Sequence, residues 1–133
     1  MDLSVIIVSF NTKSVTEACL VSLVRSLKHA DLKWEIIVVD NASNDGTRPM
    51  LKKKFPKIKT ILNRQNAGFG KANNQGIMEA SGEYILLLNS DTLVLNNAIG
   101  KLVAFGRQHP NAFIGPKLLN PDRSPQTSCG PFF

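Results

Sequence analysis

Cysteine is nearly absent from this sequence, with Cys19 and Cys129 the only two in 133 residues. Two thiols so far apart build neither a disulfide framework nor a metal knuckle. Cys19 also falls within an apolar helical pattern, so both read as unpaired thiols in a reducing compartment. Histidine is as scarce. His29 and His109 fall in or near predicted helix C-termini, where a surface cation is favourable, and no catalytic triad emerges; Ser9 has no G-x-S-x-G around it. Long apolar runs are missing too, none approaching the ~20 residues of a membrane span. Met1 and Asp2 lead straight into a short apolar strand, without a basic leader or a small-residue cleavage site. The expectation is a cytoplasmic chain, with association at the inner face of the membrane left open.

Two glycine signatures are lacking as well. The segment NAGFGKANNQG has glycines at 68, 70 and 76, but Asn73 stands where G-x-G-x-x-G needs its third glycine, and Ala72 follows Lys71 where a P-loop needs Ser or Thr. Dinucleotide-fold and P-loop readings therefore lack their defining residues. Glycine-spaced backbone at a helix N-terminus still suits a phosphate or a sugar, with Lys71 adding charge, and helix-start chemistry accounts for it equally well.

What is present is an ordinary soluble composition, 43% hydrophobic and 20% charged, in a length that fits one domain. Sixteen Lys and Arg against ten Asp and Glu give a formal charge of +6. That excess favours an anionic partner without choosing among phosphate, nucleic acid and acidic lipid. Lys52, Lys53, Lys54, Lys57 and Lys59 carry much of it, with Phe55 the one aromatic among them. The run reads as a solvated helix end rather than a nucleic-acid surface, and no nucleic-acid partner is expected.

Strands and helices alternate along the chain. Leu3–Ser9 and Glu35–Asp40 are unbroken, largely β-branched runs, as in strands buried on both faces of a parallel sheet. Between them, Val15–Lys28 shows a helical stripe at 20, 23, 24 and 27. Gly46 and Thr47 start a helix running to about Phe55, with Thr47 as its cap. Ile58–Asn63 reads as a third strand, and a helix from the glycine-rich segment runs to about Ala80, with Gly82 ending it. Tyr84–Asn89 is a fourth strand, Asn96 or Asn97 caps a helix through Arg107, and Ala112–Gly115 is a short fifth strand. Residues 1–115 then form an α/β domain with a mostly parallel sheet and helices on both faces. Residues 116–133, broken by Pro121, Pro125 and Pro131, form an irregular C-terminal segment.

Ligands of such sheets bind outside the carboxyl ends of the strands. Three ends carry polar clusters: Ser9-Phe10-Asn11, Asp40-Asn41-Ala42-Ser43 and Asn89-Ser90-Asp91. Asp40 can accept a hydrogen bond from a base N3–H or a ribose hydroxyl, or simply open an Asx-turn. Asp91 suits a divalent cation holding a diphosphate, with the Asn89 carbonyl as a helper, though N-S-D-T is also an ordinary turn.

In order, VIIVSFN, EIIVVDNASNDGT, NRQNAGFGKANNQG, YILLLNSDT and IGPKLLNPD closely resemble the N-terminal half of family 2 glycosyltransferases, especially rhamnosyltransferase-like members. The resemblance covers nearly the whole chain. It implies a Rossmann-like GT-A fold, a nucleotide-diphosphate sugar of UDP or dTDP type, and inverting transfer to an acceptor hydroxyl of a glycan or lipid-linked acceptor, as in cell-surface polysaccharide synthesis. Ser9 and Asn11 would border the nucleotide, together with Asn41, Ser43 and Ser90. Asp40 would contact the base, and Asn66, Gly68 and Lys71 would line the nucleotide-sugar pocket. Asp91, the last residue of a D-x-D motif, would bind Mg²⁺ or Mn²⁺. Asn89 replaces the first Asp of that motif, which removes one charge from the metal site. Family enzymes run to roughly twice this length, so the acceptor site and the general base are expected beyond Phe133, and pairing into a homodimer is left open. A second reading is a non-catalytic α/β module that uses the Lys52–Lys59 face for an anionic partner.

Overall fold

The computed structural model describes residues 1–126. Its elements are β1 (Leu3–Ser9), α1 (Lys13–Lys28), β2 (Trp34–Asp40), α2 (Thr47–Lys54), β3 (Lys59–Leu62), α3 (Phe69–Met78), β4 (Tyr84–Asn89) and α4 (Ala98–Gln108). The four strands form one sheet in the order β3-β2-β1-β4, every pair parallel. Each crossover carries a helix, as parallel connections require.

The two central strands are buried along almost their whole length because each face has its own layer. On one face, Leu3, Val5 and Ile7 of β1 and Ile36 and Val38 of β2 pack with Cys19, Leu20, Leu23 and Leu27 of α1, Met50 and Leu51 of α2, and Ile99 and Val103 of α4. On the other, Val8 and Val39 meet Ala72 of α3. That helix lies close. A Cβ at Gly76 would sit 2.5 Å from Cγ2 of Ile6, so only glycine fits at this approach.

β4 is covered on one face alone. Leu86 and Leu88 join the main core, whereas Ile85 and Leu87 are 45% and 50% exposed, since α3 packs chiefly on β1 and β2.

Several sequence expectations need correction. Residues 112–115 form no strand: Pro110 and the left-handed Asn111 (φ 66°) turn the chain away, and the outer edge of β4 stays unpaired among the described residues. Thr47 does not cap α2. Gly46 takes that position in the left-handed conformation (φ 89°), and Asp45 accepts from both the Thr47 amide (3.0 Å) and its hydroxyl (2.6 Å). Gly82 does not end α3, which closes at Glu79. It lets the chain pass β1, since a Cβ there would lie 2.5 Å from the Ser4 nitrogen. Asn97 does precede α4, but in a left-handed conformation and without a side-chain cap. Leu119 and Pro125 form an isolated antiparallel bridge within the C-terminal segment. Cys129 and Pro131 lie outside the described residues.

Part of the lysine run is neutralised in place. Lys54 pairs with Glu17, and Lys59 with Glu79 at 2.6 Å. No described helix is long and apolar enough to cross a membrane.

Candidate functional site

The parallel register brings the three polar strand ends together. Ser9 stands beside Asp40, and Val8 beside Asn89, so the loops following β1, β2 and β4 leave the sheet side by side. A cavity of about 350 Å³ opens among them. Its polar wall is Thr12, Asn41, Asn66, Asn89, Ser90 and Asp91; Val8, Phe10 and Phe69 supply the apolar part. A second crevice, of about 410 Å³, runs between the start of β4, α4 and residues 109–114, away from these loops.

The loops are tied by hydrogen bonds from one to the next. The Asn11 amide donates to Ser43 Oγ (3.0 Å), the Asn44 amide to Asn11 Oδ1 (2.9 Å), and the Lys13 amide to Asp45 Oδ2 (2.8 Å). Slight desolvation of the Asp45 carboxyl is outweighed by the hydrogen bonds from Thr47 and Lys13, which hold it below the usual range.

Behind them lies a web of amides. Asn41, 2% exposed, donates to Asn66 Oδ1 (2.7 Å) and accepts from Asn63 Nδ2 (3.0 Å) and the Ala67 amide (2.9 Å). Asn66 Oδ1 also accepts from the Gly68 amide (2.9 Å), where φ is 83°. This web fixes the start of α3 against the end of β2.

Asp40 is wholly buried. Its Oδ2 accepts from Arg48 Nε (2.5 Å) and the Ser43 amide (3.2 Å), and Arg48 also reaches the Asn63 carbonyl. Oδ1 is buried without a partner among the described residues. A buried acceptor of this kind is costly unless a ligand or water completes it.

Ser9 is buried in a hydroxyl cluster with Thr12 (3.1 Å) and Thr16 (2.9 Å), and Thr12 lies 3.4 Å from Ser90. Under the β4 loop, Cys19 donates to the Asn89 carbonyl at 3.6 Å. Burial pushes its thiol up to about 11, with the Asp91 charge adding to the shift, so it stays protonated.

Of the residues singled out from the sequence, Asn41, Asn66, Asn89, Ser90 and Asp91 meet at the cavity. Ser9 and Asp40 lie beneath it, Asn11 and Ser43 bond to each other, and Gly68 and Lys71 flank its Phe69 wall without lining it. Thr12, Phe10, Phe69 and Arg48 were not singled out. The aromatics within S-F-N and G-F-G were the one signal available for the phenylalanines.

The donor set fits a divalent cation only in part. Asp91 enters none of the four ion pairs among the described residues, so its carboxylate is uncommitted. No group of three or more His, Cys, Asp or Glu gathers there among the described residues. One carboxylate with neighbouring amide and hydroxyl oxygens suits a hard cation that also takes ligand oxygens, such as those of a diphosphate, rather than a cage built by protein alone.

A parallel α/β sheet with a polar cavity at its carboxyl edge defines a ligand-binding class, and the comparisons define the family. The family model for glycosyl transferase family 2 matches residues 4–126, and the chain belongs to that family. It is 31% identical over 127 residues to the putative teichuronic acid biosynthesis glycosyltransferase TuaG of Bacillus subtilis, covering 92% of this chain and 49% of that protein. It is 32% identical over 97 residues to an Escherichia coli β-1,3-glucosyltransferase, WfgD, that uses UDP-Glc, covering 72% of this chain and 37% of WfgD. Among solved structures, TarS of S. aureus in complex with UDP-GlcNAc superposes with a TM-score of 0.66 at 29% identity, over 82% of this chain and 32% of that one. The fold is the GT-A type. The chain spans about half the length, or less, of the curated relatives it matches.

Proposed function

We propose that this chain is the donor-binding part of a glycosyltransferase that transfers a sugar, with inversion, from a UDP or dTDP sugar to an acceptor hydroxyl in cell-surface glycan synthesis. The observation that carries the reading is the convergence of Asn41, Asn66, Asn89, Ser90 and Asp91 on one cavity at the carboxyl edge. Membership of family 2 and the sugar nucleotides bound or used by TarS and WfgD support it.

Each residue has a part. The partnerless Oδ1 of Asp40 is the acceptor left for a base imide N–H. Arg48 and the Ser43 amide hold the other oxygen, Oδ2. The exposed phenyl faces of Phe10 and Phe69 offer apolar surface to a ring, and the amide web holds the start of α3, whose N–H groups suit anionic oxygen. Asp91 would hold Mg²⁺ or Mn²⁺, with Asn89 and Ser90 supplying neutral oxygens or water contacts. The bound cation supplies charge stabilisation to the departing diphosphate. With Asn89 in place of a second carboxylate, this site should hold metal more weakly than a D-x-D site. None of these residues is assigned the deprotonation of the acceptor.

Calorimetric titration of UDP, dTDP and GDP into the folded protein tests the reading. Binding of UDP or dTDP in preference to GDP is expected, and strengthening by Mn²⁺. Failure of both pyrimidine nucleotides to bind would refute it. The basic-face alternative has less support, since Lys54 and Lys59 are already paired with Glu17 and Glu79.

A further inference from the structure

The loop that carries Asp91 is held from one side of α1, at points both before and after the carboxylate. At the helix start, Thr12 Oγ1 lies 3.4 Å from Ser90 Oγ. Two turns further on, Cys19 donates to the Asn89 carbonyl at 3.6 Å, the same carbonyl that accepts from the Thr92 amide at 3.2 Å. Ser22 then accepts from the Val94 amide at 3.0 Å while its own hydroxyl donates to the Cys19 carbonyl at 2.9 Å. Positions 12, 19 and 22 lie along one side of the helix, and that side is polar where it meets residues 89–94 and apolar elsewhere.

We infer that Thr12 and Ser22 are positioning residues for Asp91, and that α1 sets the direction in which this carboxylate is presented to a cation. The inference rests on the donor-site reading given above. Asp91 follows the end of β4 and makes no ion pair among the described residues, so the strand alone does not fix it. A site with a single carboxylate depends more on that carboxylate being held ready than a site with two, because ordering a loop on binding costs free energy. Ser22 is the sharper probe: it touches only the far side of the loop and does not line the cavity.

The test uses the full chain with Ser22→Ala, Thr12→Val and Thr12→Ser. Alanine favours helix over serine, so Ser22→Ala keeps α1 intact. Two readouts are needed. Amide hydrogen exchange without ligand should speed up about fivefold at Val94 in Ser22→Ala, the scale of one lost hydrogen bond of ~1 kcal/mol. Mn²⁺ affinity, measured in the presence of saturating UDP, should fall about tenfold in Ser22→Ala and Thr12→Val. UDP affinity in EDTA should stay at the wild-type value in Ser22→Ala, since Ser22 does not line the cavity, and Thr12→Ser should keep the metal affinity that Thr12→Val loses. Wild-type Mn²⁺ affinity in both Ser22→Ala and Thr12→Val overturns the inference and leaves the donor site standing, as does unchanged exchange at Val94. If wild-type protein binds no UDP, the donor-site reading falls and this inference falls with it.

Discussion

Arg48 reaches back from the first turn of α2 to Asp40 at the end of β2, with Nε 2.5 Å from a carboxylate oxygen that is fully buried. The pair joins the two elements that flank the second strand-end loop. Arg48→Ala should therefore leave Asp40 charged, buried and short of a donor, at a stability cost of about 1–3 kcal/mol in urea denaturation. The cost stays below that of a fully buried pair because the arginine is 36% exposed. In Asp40→Asn, where no buried charge remains, the further loss from Arg48→Ala should be smaller; equal losses in both backgrounds would show that the pair is not coupled.

Asn41 should be the most sensitive of the cavity amides. Its side chain satisfies Asn66, Asn63 and the Ala67 amide while almost wholly buried. Asn41→Ala is expected to cost about 1–3 kcal/mol and to weaken nucleotide binding by loosening the start of α3. Chemical denaturation and a UDP titration on the same sample read both effects.

The contact of α3 with the sheet distinguishes two glycines six positions apart. Gly76→Ala would drive a methyl to 2.5 Å from Ile6 Cγ2 and should destabilise by about 1–3 kcal/mol. A Cβ at Gly70 meets nothing within 4 Å, so Gly70→Ala should be neutral or stabilising by up to ~1 kcal/mol. Urea midpoints of the two variants give the comparison directly.

Glu35 should contribute to acid sensitivity. Desolvation raises its carboxyl, but hydrogen bonds from Ser4 Oγ (2.6 Å) and from the Ser81 hydroxyl and amide (both 2.7 Å), aided by Lys59, bring it below the ordinary 4.5. A lowered folded-state value contributes stability that is present above the unfolded value and lost as pH falls through the folded one. Stability measured from pH 7 to about pH 3 should therefore drop below 4.5, and drop less in Glu35→Gln.

Much of this was legible in the sequence, for reasons that differ element by element. LSVIIVS and EIIVVD announced central strands because strands covered on both faces have no polar side to show. YILLLN looked the same and is not: apolar composition reports that a strand could be covered, whereas coverage depends on where α3 lies, and Ile85 and Leu87 stay exposed. The polar strand ends were visible in sequence, and their adjacency followed once the sheet was parallel. Invisible were the particular pairings, such as Arg48 in the first turn of α2 with Asp40 at the end of β2, or Ser22 with Val94 across a separation of 72 residues.

The measurement closest to the central claim is paramagnetic broadening of backbone amide signals by substoichiometric Mn²⁺ in the presence of UDP. The donor-site account predicts broadening centred on Ser90–Thr92 and extending to Phe10–Thr12 and Asn66–Phe69, with the loss of that pattern in Asp91→Ala while metal-free UDP binding persists. Broadening centred on other carboxylates, such as Asp45 or Asp122, or the same pattern in Asp91→Ala, would contradict it.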